Sequence, residues 1–107
     1  MKTTIFGLLM LLSGLAIGDV LVVNIWDPMP GKGALTFKYA HEARAIHDKL
    51  GAQAIVATDQ MGNLHYASGF ASWEAWGKFQ AKLQASEEWT AFIAKLNSDP
   101  SAERVDV

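Results

Sequence analysis

Residues 21–33, with the sequence LVVNIWDPMPGKG, pass from one kind of secondary structure to another within a short stretch. Residues 20–26 are rich in β-branched and aromatic side chains, which favour a strand. Pro28 and Pro30 end this strand, because proline cannot donate a hydrogen bond to a neighbouring strand. From Ala34 onward, apolar residues recur three or four positions apart, which predicts a helix of about 16 residues that ends at Gly51. A strand, a turn and a helix therefore open the domain.

Two more strands are predicted beyond this helix, at residues 53–58 and 64–70. Residues 59–63, with the sequence DQMGN, have the composition of a tight turn, so the two strands form a hairpin. Residues 103–107 follow an Asp-Pro pair and are predicted to form a short last strand.

The helix before the last strand is predicted to start twice. Ser72 and Ser86 are both suited to cap a helix N-terminus, and each is followed by glutamate that complements the helix dipole. We therefore expect a kinked or two-part helix. The resulting order βαββαβ predicts the α+β class, as a ferredoxin-like four-stranded antiparallel sheet with both helices on one face.

Both faces of the first strand are largely apolar. One face carries Val20, Val22, Asn24 and Trp26, and the other carries Leu21, Val23 and Ile25. A chain of 107 residues with these elements has no third layer to cover the second face. We therefore predict a homodimer in which the two sheets pack face to face.

Composition excludes several classes of function. The chain has 9 Lys and Arg against 11 Asp and Glu, without a basic cluster that could neutralise phosphates, so no nucleic-acid partner is expected. It has no cysteine, which excludes disulfides, thiolate nucleophiles and zinc sites built on cysteine. The histidine spacing does not indicate a metal site either, because His41 and His47 are six residues apart and face different sides of a helix.

Residues 1–18 differ from the rest of the chain. Lys2 precedes an apolar run that ends in the small-x-small pattern of residues 16–18. These features predict a cleavable secretory signal peptide, and the run is shorter than the about 20 apolar residues that span a bilayer. We expect a secreted or periplasmic protein with a single domain over residues 19–107 and no membrane association after cleavage.

Three motifs placed on this element order resemble a known family. They are Pro-Gly-Lys-Gly before the first helix, FASWEAW at residues 70–76 and SEEW at residues 86–89. With them the chain resembles the dimeric α+β barrel superfamily, in particular small proteins of the antibiotic-biosynthesis monooxygenase type. The resemblance implies that two ferredoxin-like subunits form a barrel, each with a pocket between its sheet and helices. Some members oxidise polyketide aromatics without metal or flavin, so no cofactor is expected.

The candidate site residues combine polar groups that can move a proton with aromatic side chains that can hold a ring. In a cofactor-independent oxygenation, His65 or His47 is the base and Asn24 stabilises the charged intermediate. The pocket that holds a small apolar or aromatic substrate is predicted to be walled by Trp26, Trp76, Tyr39 and Phe79.

Other functions stay open at this point. One is a non-catalytic binding or structural domain whose pocket is filled by side chains. Another is haem binding or haem degradation. The resemblance implies that haem-cleaving members use an asparagine, a tryptophan and a histidine. Here Asn24 matches the asparagine, but Phe79 stands at the position of the tryptophan and Trp89 at that of the histidine. Gly31-Lys32-Gly33 lacks the spacing of nucleotide-binding loops, so we expect it to be a turn and not a phosphate site.

Overall fold

The computed structural model describes residues 19–105, so the predicted signal peptide at residues 1–18 lies outside the described residues. The end of the predicted last strand, residues 106–107, lies outside them as well. The elements in chain order are β1 (Val20–Pro28), α1 (Gly33–Lys49), β2 (Gln53–Thr58), β3 (Leu64–Phe70), α2 (Trp73–Ala85), α3 (Glu87–Ser98) and β4 (Ala102–Val105).

The four strands form one antiparallel sheet in the order β2-β3-β1-β4. The predicted α+β class and antiparallel sheet are confirmed, and the architecture is compatible with a ferredoxin-like fold. One difference concerns β1, which continues beyond Trp26 to Pro28. Because β3 pairs with β1 only as far as Trp26, Pro28 has β4 beside it and no strand on its other side. A proline is tolerated there, since no second neighbour requires its missing N–H.

The helical segment after β3 is interrupted at Ser86. Ser86 has an extended backbone, and its hydroxyl accepts a hydrogen bond from the Trp89 N–H at 3.1 Å. Ser72 caps α2 in the same way, by accepting from the Ala75 N–H at 3.1 Å. The predicted two-part helix is therefore confirmed. Within residues 19–105, no helix combines the length and the apolar character needed to cross a membrane.

The core lies between the helices and one face of the sheet, called here the helix face. Along β3 every second side chain is buried on this face, from Leu64 through Tyr66 to Phe70. The register of β1 on β3 places Asn24 beside Tyr66 and Trp26 beside Leu64. The first of the two apolar faces of β1 therefore looks toward the helices.

The opposite face of the sheet, called here the open face, has no layer over it among the described residues. Val23, Ala67 and Ile55 lie side by side on β1, β3 and β2. Leu21 is 51% exposed and Val23 is 43% exposed. A single chain therefore leaves apolar sheet surface in contact with water.

Replacing Leu64 by alanine should strongly destabilise the domain. Leu64 is 2% exposed, so truncation loses its burial and leaves a void beneath the helices. We expect the free energy of unfolding to fall by about 2–5 kcal/mol in urea denaturation at a fixed protein concentration. Met61→Ala is the control, because Met61 is 83% exposed and its truncation should change stability by less than about 0.5 kcal/mol. Equal effects of the two variants would contradict this account of the core.

Candidate functional site

A cavity of about 480 Å³ lies between the helix face of the sheet and the helices. Its walls are mainly aromatic and aliphatic, and they come from β1, β3 and β4 as well as from α1, α2 and α3. Asn97, Pro100 and Arg104 are the exposed members of the lining and mark where the cavity meets solvent. A volume of this size accommodates a small organic molecule.

His47 is the buried titratable side chain of this cavity, with 6% of its surface exposed. It lies on the last turns of α1, and its Nδ1 is 3.0 Å from the carbonyl oxygen of Ala43, one turn earlier. A carbonyl can only accept, so Nδ1 carries the proton and Nε2 keeps its lone pair in the neutral ring. Among the described residues none hydrogen-bonds to Nε2. Burial lowers the pKa of His47, although the bond to Ala43 opposes this shift, so the ring is neutral at pH 7.

Three aromatic rings surround the imidazole of His47. The centroid of its ring lies 5.3 Å from that of Tyr66, 5.1 Å from that of Phe79 and 5.3 Å from that of Trp89. The resemblance described above implies that Phe79 and Trp89 take the positions of the tryptophan and histidine of haem-cleaving proteins. Here they hold the histidine of another helix in place, which is a packing role.

Tyr66 contributes a hydroxyl group without a protein partner. The Tyr66 Oη is buried and makes no hydrogen bond to any described residue. Burial raises the pKa of Tyr66 far above its usual value, so the phenol stays protonated and can donate. Native structures rarely leave a buried hydroxyl unpaired, because its lost hydration is not replaced. A ligand oxygen in the cavity would supply the missing partner.

Asn24 lies beside Tyr66 as its partner on the neighbouring strand. It is half-buried, lines the cavity, and its amide makes no hydrogen bond within residues 19–105. The Asn24 amide, the Tyr66 hydroxyl and Nε2 of His47 therefore bring three unpaired polar groups to one region of a cavity with mainly aromatic and aliphatic walls.

The structure brings together most of the predicted site residues. Those that line the cavity are Asn24, Trp26, Tyr39, His47, Trp76 and Phe79. The remaining one, His65, lies on the open face, because it alternates with the buried Leu64 and Tyr66 along β3. Its Nε2 is 2.8 Å from Asp59 Oδ2 in the hairpin turn. This bond to His65 is the main reason that the pKa of Asp59 is lowered. His65 therefore belongs to the turn and not to the cavity.

Tyr66 and Arg104 are among the cavity residues that were not predicted from the sequence. Tyr66 was overlooked, although its spacing from Leu64 and Phe70 places three large apolar side chains on the same face of β3. Arg104 was also overlooked; it lines the cavity and is the cross-strand neighbour of Trp26. Nothing in the local sequence marks Arg104, since its position depends on how β4 pairs with β1.

The segment between β1 and α1 is a turn. Gly31 has φ +76°, which glycine adopts readily, and the Lys32 N–H donates to the Met29 carbonyl at 2.9 Å. The Lys32 ammonium lies 3.8 Å from Asp99 Oδ1. The absence of a phosphate site in this loop stays a prediction. In residues 19–105, no group of three or more His, Cys, Asp or Glu side chains is arranged to hold a metal ion.

Comparison of the chain with known protein families, with curated proteins and with solved structures finds no match.

Proposed function

We propose that this chain is a small-molecule-binding protein of the dimeric α+β barrel type, exported by its N-terminal apolar segment. The ligand is a small aromatic molecule with a hydroxyl or carbonyl oxygen. The observation that carries the proposal is the unpaired hydroxyl of Tyr66 in a cavity of about 480 Å³ with largely aromatic walls. Apolar cavities with a few converging polar groups are typical of ligand sites.

We further propose that the reaction supported by this site is cofactor-independent oxygenation. Nε2 of the neutral His47 removes a proton from the substrate, and the Tyr66 hydroxyl and Asn24 amide stabilise the resulting anion. The anion is the reductant for molecular oxygen. For an anthrone, one oxygen atom forms the new C=O bond at the ring CH₂ carbon. The second oxygen atom leaves as water with the two hydrogens lost there.

The proposed dimer forms through the open face. Val23, Ala67 and Ile55 make a row of apolar side chains across β1, β3 and β2, and Leu21 extends it. A second copy related by a twofold axis presents the same surface, so the apolar open faces of the two copies contact each other. Two acidic residues on this face, Asp27 and Glu103, are cross-strand neighbours at the far end of β1. A sheet-to-sheet homodimer therefore buries the apolar centre and leaves these charges at its edge.

Binding of β-naphthol, compared with naphthalene, tests the proposed ligand site. Tyr66→Phe should weaken β-naphthol about 3- to 10-fold in calorimetric titration, because one hydrogen bond from the buried hydroxyl is lost. The affinity for naphthalene should not change, since it offers no oxygen to Tyr66. A wild-type protein that binds neither probe would contradict the proposed function.

The matched control for this variant is Tyr39→Phe, read out as stability. The Tyr39 hydroxyl donates to the Asp99 carbonyl at 3.0 Å, so its removal should lower the free energy of unfolding. Tyr66→Phe removes a hydroxyl that has no protein partner, so the free energy of unfolding should stay equal or rise. A clear loss of stability in Tyr66→Phe would show that this hydroxyl is paired within the protein.

A further inference from the structure

The charge of the cavity wall is concentrated in one side chain. Of the described lining residues, Arg104 alone carries a permanent charge, and no Asp or Glu lines the cavity. His47 is uncharged at pH 7 because burial lowers its pKa. A ligand that enters therefore meets one positive group at the solvent side and neutral groups farther in.

Arg104 has no acidic partner within residues 19–105. Glu103 precedes it and, by the alternation of β4, points to the open face opposite Asp27. Asp99 lies near the cavity entrance, but its carboxylate is next to Lys32 Nζ and the Tyr39 hydroxyl. The guanidinium of Arg104 is therefore available to a ligand.

The register of the sheet gives the separation between the backbone positions of Arg104 and Tyr66. On one side of β1, Arg104 of β4 pairs with Trp26. On the other side, Tyr66 of β3 pairs with Asn24, which is two residues away from Trp26 along β1. With a strand spacing of about 4.8 Å and a rise of about 3.3 Å per residue, the Cα atoms of Arg104 and Tyr66 are about 12 Å apart. Both side chains line the cavity, so an aromatic ligand with a polar group at each end can contact the two of them.

We infer that the ligand of this cavity is an aromatic carboxylate, held at its acidic end by Arg104 and at its hydroxyl end by Tyr66 and Asn24. The inference rests on the proposed function and adds the charge and orientation of the ligand. A guanidinium donates two parallel N–H hydrogen bonds to the two oxygens of a carboxylate. A neutral carboxamide has one acceptor oxygen and no charge, so it binds the guanidinium less strongly. Arg104 thereby selects an acidic ligand and fixes which end enters first.

Calorimetric titration with p-coumarate and p-coumaramide tests this inference, because the two probes share the phenol and differ in the charge of the other end. Wild-type protein should bind p-coumarate about tenfold more tightly than p-coumaramide. Arg104→Gln should reduce this ratio to about one and leave the affinity for p-coumaramide unchanged. The unchanged amide affinity shows that the cavity of the variant is intact.

The control is Lys38→Gln, which removes one positive charge from an exposed position of α1 that does not line the cavity. It should keep the tenfold preference for p-coumarate. Equal loss of preference in both variants would show that net charge sets the selectivity, and would overturn the inference. Wild-type protein that binds both probes equally would overturn it as well but leave the proposed function standing. Wild-type protein that binds neither probe would overturn both.

Discussion

We expect Val23→Asp to convert the proposed dimer into a monomer. Val23 lies at the centre of the open face, beside Ala67, and is 43% exposed in the single chain. In a sheet-to-sheet dimer, the substitution places one carboxylate from each copy in an apolar interface, and each unpaired buried charge costs several kcal/mol. The dissociation constant of the dimer should therefore rise at least about 100-fold. Light scattering and sedimentation should show a dimer for the wild type and a monomer for the variant at tens of micromolar.

The control for this experiment is Ala94→Asp, which adds the same charge at an exposed position of α3. It should remain dimeric. Circular dichroism of Val23→Asp should match the wild type, because the helix face and the core are untouched. A monomeric wild type would contradict the dimer, and a dimeric Val23→Asp would contradict its placement on the open face.

His47→Phe should remove the proposed oxygenation while the fold persists. Phenylalanine keeps the ring contacts with Tyr66, Phe79 and Trp89 but has no lone pair to accept a proton. Loss of a general base typically costs about 10²- to 10⁴-fold in rate. Conversion of anthrone to anthraquinone, followed with oxygen uptake and corrected for the uncatalysed reaction, measures this loss.

The exposed His41 of α1 provides the matched control. His41→Gln should leave the rate within about twofold, because an exposed substitution outside the site changes little. Activity lost in His65→Gln and retained in His47→Phe would contradict the assignment of the base. If the wild-type protein does not accelerate anthrone oxidation, the oxygenase proposal is contradicted. The ligand-binding proposal is tested separately, by the titrations with β-naphthol and naphthalene.

The variant His47→Phe also reports on the pH dependence of stability. Burial lowers the pKa of His47 in the folded state below the value of about 6.5 expected for the unfolded chain. Well above pH 6.5, neither state binds a proton at this ring, so His47 adds no pH dependence. Below pH 6.5, the unfolded chain takes up a proton that the folded chain does not. As the pH is lowered further, the free energy of unfolding decreases by at most about 1.4 kcal/mol per pH unit, until the folded-state pKa of His47 is reached.

This contribution is measured as the difference between wild type and His47→Phe. Urea denaturation at pH 7.5 and at pH 5.5 should show a larger loss of stability on acidification for the wild type than for the variant. The lowered pKa of Asp59 does not interfere, because a carboxylate with a pKa below 3.8 stays ionised over this range. Identical losses in the two proteins would show that His47 is not held neutral by burial.

The element order could be predicted because its signals are local. Serines at positions 72 and 86 supply a hydroxyl to the first free N–H groups of α2 and α3 in the structure, as their spacing before acidic residues predicts. The bounds of β2 and β3 also follow from local composition, since polar turn residues separate two short β-rich runs. These features depend on neighbours in the chain and not on the rest of the fold.

Which histidine belongs to the cavity was decided by tertiary structure. His47 and His65 were both candidates for the base, and they lie on opposite sides of the sheet. The side that becomes the interior depends on where the helices pack, and β1 carries apolar residues on both faces, so its pattern does not distinguish them. Because the helices pack on the face that carries Leu64 and Tyr66, the alternation along β3 places His65 on the opposite face.

The segment LVVNIWDPMPGKG by itself determined a strand, a turn and a helix, because β-propensity, proline and glycine act over a few residues. That Asn24 and Trp26 face a cavity was decided by the pairing of β1 with β3 and β4 and by the helices above it. The same pairing brings Tyr66 and Arg104 to that cavity from distant parts of the chain. A site made of side chains from separate strands has no local signal, because only the packed sheet brings them together.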